Sequence, residues 1–166
     1  MITPEYVQLM ARYGAWQNTQ MIEACESVPA AALLEDRGLF FGSVHATLNH
    51  LLWGDRTWMA RFAGTPAPRQ SSIADSVAET PDWTHYVIER LGCDALIQSW
   101  AVQITKERLG GSLTWMSGAA GREVTKPLSF LVVHFFNHQT HHRGQVHGAL
   151  TSLGAKPGPT DVFLIP

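Results

Sequence analysis

The chain has 166 residues, 12 Lys and Arg against 14 Asp and Glu, and a formal net charge of −2 at pH 7. With 45% apolar and 16% charged residues, it reads as one compact domain over residues 1–166 whose core needs no disulfide support. No basic stripe is available to track phosphates and no apolar run approaches the ~18 residues of a membrane span, which excludes nucleic acid and membrane as partners.

The opening MITPEYVQLMARYGAW has neither a positive leader nor a long apolar run. Cys25 and Cys93 are far apart and form no CxxC, so they read as buried, reduced thiols. Both features predict a cytoplasmic location.

Helical signals dominate. Thr3-Pro4 predicts an N-cap with proline at the first helical position, and Tyr6, Leu9, Met10, Tyr13 and Trp16 follow at helical spacing until Val28-Pro29. Ser43 caps a second helix, VHATLNHLLWGDRTWMARF, which stops at Gly64 before the Pro- and Ser-rich TPAPRQSS. Thr80-Pro81 repeats the cap-plus-proline signal and opens a third helix to about Leu109. The stretch GGSLTWMSGAAGREVTKP has β-branched and aromatic residues on each side of Gly118-Ala119-Ala120-Gly121, which predicts a small hairpin or extended excursion. A fourth helix runs from near Ser129 to Gly154, a natural C′ residue. The expected fold is all-α: a four-helix bundle with a short crossover between helices 3 and 4.

Five of the eight histidines lie in HFFNHQTHHRGQVH, residues 134–147. Helical residues four apart share a face, so His134, His138 and His142 form one stripe beside the apolar Leu131, Phe135, Ala149 and Leu150, and it should point inward. His141 and His147 lie off it. Two imidazoles at i and i+4 can meet on one metal ion, and the spacing leaves both His134/His138 and His138/His142 open. Neither first histidine is followed by Glu, so a zincin-type protease is excluded. A catalytic site needs a third ligand from another helix, and His50, between Leu48 and Leu51, is the best placed. Against this stands the ordinary reading, in which helical histidines are hydrogen-bonded core or surface residues.

FGSVHATLNHLLWGDRTWMARFAG followed by NHQTHHRGQVHGALTSLG resembles the damage-inducible DinB/YfiT-like family of metalloenzymes, which is distinct from the DNA polymerase that shares the DinB name. The similarity extends from the early ARYGAWQNTQMIEAC to the terminal KPGPTDVFLIP. It implies a homodimeric four-helix bundle holding one divalent metal per chain (Zn, Ni, Mn or Fe) on His50, His138 and His142. His134 would then sit one turn away in the pocket, and His141 and His147 would not be ligands. Characterised members of the family are thiol S-transferases and a mycothiol-dependent isomerase. The implied function is therefore a metal-dependent, thiol-transferase-like enzyme with a low-molecular-weight thiol as co-substrate. The alternative is a non-catalytic, metal-binding stress-response bundle.

Three neutral imidazoles would leave the ion's charge uncompensated, suited to activating water or holding a thiolate. Ligating histidines need partners for their second N–H, and Gln145, Asn49 and Asn137 are local candidates. A buried Arg143 needs a carboxylate, which predicts an Asp55–Arg143 pair locking the second and fourth helices. Gly144 is expected to permit close helix approach. Trp16, Trp53 and Trp58 are expected in the core, one of them lining the pocket.

Overall fold

A computed structural model describes residues 1–118 and 120–166 of the chain. The first long helix, α1 (Pro4–Glu26), starts on Thr3, whose Oγ1 accepts from the Tyr6 N–H at 3.3 Å. The second, α2 (Val44–Ala63), runs between Ser43, whose Oγ accepts from Ala46 N–H at 3.1 Å, and Gly64 at φ +69°. Both caps lie where the sequence places them.

The third helix departs from expectation. α3 (Trp83–Gln103) is capped by Asp82, not Thr80, and Thr80 instead donates its hydroxyl to Asn49 Oδ1 at 2.7 Å. The helix also stops early: Ile104 is extended, and Thr105 caps a separate short helix, α4 (Lys106–Gly110). Two β-branched residues, one able to bond the Arg108 N–H through its side chain, favour restarting a helix over continuing one. The hairpin follows as β1 (Ser112–Ser117) and β2 (Arg122–Pro127), antiparallel with Ser112 opposite Pro127 and Ser117 opposite Arg122. Ala119, in its expected turn, lies outside the described residues. The last helix, α5 (Leu128–Ser152), is followed by Gly154 at φ +83°. The chain is mostly helical, with five helices and one two-stranded sheet among the described residues. No helix among them is long and apolar enough to cross a membrane.

α1 packs against α3 and α5, and α2 packs against the same two helices. Val7, Met21, Leu48, Leu52, Val132, Phe135 and Leu150 fill the interior, and Cys25 and Cys93 are buried there as free thiols. Burial pushes each thiol up to about 12, consistent with inert core residues.

At the centre sits Arg90, with no exposed surface. Its Nη1 donates to Asp55 Oδ2 at 2.7 Å and its Nη2 to Asp94 Oδ1 at 2.7 Å. Asn18 Nδ2 donates to the same Asp94 oxygen at 2.9 Å, and Gln139 Nε2 donates to Asp55 Oδ1 at 3.0 Å. One polar cluster thus joins α1, α2, α3 and α5. This corrects the expected Asp55–Arg143 pair: the cation comes from α3, which reaches Asp55 first. Arg143 instead lies over the Tyr13 ring, its Cζ 5.6 Å from the centroid.

The glycine expectation also changes. Gly144 is exposed, and a Cβ there would meet open space. The close approach is at Gly54, where a Cβ would lie 2.8 Å from His138 Cε1.

Removing the cation should be severe. Arg90→Met would strand two buried carboxylates, a loss of ~3–5 kcal/mol in urea unfolding. Arg90→Met combined with Asp55→Leu and Asp94→Leu should recover a substantial part of that loss. A single variant as stable as wild type would show the cluster to be energetically idle.

Candidate metal centre

The structure brings His50, from the middle of α2, against His138 and His142, one turn apart on α5. A nitrogen from each lies within 4.8 Å of the other two, so the three could hold one metal ion. His50 Nε2 and His138 Nε2 are 3.2 Å apart. Two nitrogens each ~2.1 Å from a common ion stand ~3.0–3.4 Å apart for angles between a right angle and the tetrahedral value. The donor set fits such an ion.

The remaining ring nitrogens decide which lone pairs face inward. Ser76 donates its hydroxyl to Ile73 O at 2.6 Å, so its oxygen accepts from His50 Nδ1–H at 2.8 Å. His142 Nδ1–H likewise donates to Gln145 Oε1 at 2.8 Å. Both bonds place the proton on Nδ1 and leave Nε2 as the free base. His138 Nδ1 is buried without a partner, and its ring is held against Gly54 instead.

Ser76 was not legible as a site residue, because it lies in the linker after Gly64. That linker folds back onto α2 around a fully buried Glu79, which accepts from Arg56 Nη1 at 2.8 Å and from the Arg69 and Gln70 N–H groups at 3.2 Å. The resulting 3-10 turn, Asp75–Ala78, sets Ser76 beside His50. Phe41 was also missed: its ring stacks on His50 at 3.9 Å, and Trp53 stacks on that histidine at 5.6 Å.

All three histidines are held neutral. Burial pushes His50 down to about 4, helped by the proximity of His142. His138 falls to about 3, again through burial first and then through the surrounding histidines. His142 is lowered by burial, with the Gln145 bond opposing. Near pH 7 the lone pairs are therefore available.

The other predicted residues divide. His134 is exposed rather than inward, with its ring edge on Trp58 at 5.3 Å. His141 is exposed beside His142, and both His134 and His141 line the adjoining cleft. Asn49 anchors Thr80 and Asn137 is exposed, so neither orients a triad ring. Asp55 bonds Arg90 and Gln139 and Arg143 lies over Tyr13, so neither side chain hydrogen-bonds a ring of the triad. The cleft has a volume of about 1420 Å³ and is walled by Phe41, Trp53, Trp58, Trp115, Met116 and Phe130. Trp58 is buried, while Trp16 and Trp53 are half-buried. Arg61 lies over Trp58, its Cζ 4.6 Å from the ring centroid. None of the ion pairs among the described residues includes it.

Residues 1–166 match the sequence profile of the DinB family. The chain is also similar to Protein DinB of Bacillus subtilis (strain 168), 26% identical over 156 residues, covering 92% of this chain and 88% of that protein. No solved structure matches it.

Gly54→Ala should keep the fold, since alanine favours a helix by ~1 kcal/mol. It should nonetheless push His138 aside and weaken metal binding about tenfold or more in a competitive chelator titration. An unchanged affinity would show that the contact at Gly54 does not position the ring.

The metal-free protein should lose stability on acidification. The unfolded histidines take up protons below ~6.5 while the folded rings resist, so unfolding gains protons as pH falls. The loss should begin near that value and persist until pH passes the folded values of about 4 and about 3. Urea midpoints at about pH 7 and about pH 5 measure it, and His138→Ala should flatten the difference.

Proposed function

We propose that this chain, which belongs to the DinB family, is a divalent-metal-dependent enzyme that joins a low-molecular-weight thiol to an apolar electrophile. His50, His138 and His142 would be the ligands. The observation that carries the reading is the placement of three neutral imidazoles in the lining of a large, aromatic-walled cleft. Imidazole suits Zn, Ni and Fe and is also compatible with Mn, so the ligand type does not choose the metal.

A bound divalent ion would supply positive charge that depresses the pKa of a thiol or a water. The protein's own residues do the rest. Ser76 and Gln145 hold two imidazoles in the required tautomer, and Phe41 and Trp53 fix the His50 ring. The aromatic walls favour an apolar electrophile and exclude water from its reacting carbon. Arg61, free of any carboxylate among the described residues, suits an anionic group on either substrate, such as the carboxylate of a cysteine-derived thiol. The thiol gives up its proton to solvent, its sulfur forms a bond to the electrophilic carbon, and the leaving group departs with the electron pair of the bond that breaks. The reading extends to a homodimer, as the family resemblance implies, in the cytoplasm, where the two reduced cysteines would place it.

Metal analysis by mass spectrometry on untagged protein should find about one ion per chain. It should be lost in His50→Ala and kept in His141→Ala. Thiol consumption with monochlorobimane should then require the metal and drop to the uncatalysed rate in His50→Ala. Metal-loaded protein that leaves a panel of cysteine-derived thiols untouched would sink the transferase reading and favour metal binding alone.

A further inference from the structure

Arg143 follows His142 on α5 but serves a different part of the molecule, about 100° around the helix. It is 4% exposed. Its Nη1 is buried without a hydrogen-bond partner, and none of the ion pairs among the described residues includes it. Asp55 and Asp94 are committed to Arg90 and act on Arg143 only through space. A guanidinium so enclosed is an unsatisfied donor, and its planar fork has no accepting lone pair of its own.

It lines a second cavity of about 320 Å³, together with Tyr13, Gln17, Thr140, His147 and Thr160. Three other side chains there are already engaged. Tyr13 donates its hydroxyl to Thr160 O at 2.8 Å, Gln17 Nε2 donates to Pro159 O at 2.8 Å, and Thr140 donates to Phe136 O at 3.0 Å. These bonds draw the C-terminal tail over α1 as one wall of the cavity. His147 Nδ1 is buried without a partner beside it. The space therefore has a cation in its wall and no carboxylate among its lining residues.

We propose that this cavity binds a small oxyanion, a carboxylate or a phosphate, through Arg143, at a site separate from the histidine triad. The fork of a guanidinium matches two oxygens of either group. The volume of about 320 Å³ admits inorganic phosphate or a short dicarboxylate.

Calorimetric titration of the full chain with inorganic phosphate and, separately, with succinate tests this. At least one should saturate at one site per chain, in metal-loaded and metal-free protein alike and in Arg61→Gln. Which of the two saturates identifies the source. Arg143→Met should weaken binding roughly tenfold or more. Gly144→Leu should do the same without disturbing the guanidinium, because Gly144 lines the cavity and a Cβ there meets open space. If Arg143→Met fails to fold, Gly144→Leu decides. Three results would overturn the proposal: no saturation by either anion, affinity unchanged in the cavity variants, or binding that vanishes with the metal or with Arg61→Gln.

Discussion

The buried Arg90 is the constraint on which the remaining architecture depends. Asp55 and Asp94 accept from its two terminal nitrogens, while Asn18 and Gln139 donate to those carboxylates, so each of the four long helices contributes a group. Such a cluster gives little net stability over a well-packed apolar one, but it tolerates few alternative arrangements. A helix slipped by one residue would leave a charge unpaired in the core. Gln139 directly follows His138, and Asp55 lies five residues after His50. The register that satisfies Arg90 is therefore the register that brings those two histidines together.

The two centres manage burial differently. Around Arg90, charge is retained and matched by carboxylates. At the triad, charge is avoided, because enclosed imidazoles beside one another remain unprotonated. A neutral base with an inward lone pair is what a cation requires. Orientation comes from outside the triad, through a serine delivered by the linker and a glutamine on the same helix as its partner.

Much of the frame could be read along the chain. Thr3, Ser43, Gly64 and Gly154 mark helix ends through local chemistry, and local chemistry is what a sequence displays most directly. Among the histidines, spacing left two pairs on α5 open, and only the family resemblance selected His138 with His142. Contacts between distant segments were misread for a shared reason. Asp55 and Arg90 are 35 positions apart, and their meeting depends on the rotation of α3. That helix buries Arg90 and Asp94 alongside Tyr86 and Ile97, so its inward face is not its most apolar one. Ser76 and Gly54 were likewise invisible. The first acts through a folded-back linker, and the second matters only because a ring on another helix rests against it.

The hairpin lends Trp115 and Met116 to the cleft, with Trp115 edge-on to Trp58 at 5.7 Å, yet it supplies no group to the triad or to the Arg90 cluster. Part of the cleft wall is thus encoded apart from the helical framework. Substitutions across β1 and β2 can remodel the shape and polarity of one cleft wall while the helical register stays as it is, because distant sites contribute nearly independently. A lineage built on this scaffold can diversify what it accepts by drifting in the strand positions other than Leu113 and Trp115, which pack against the core.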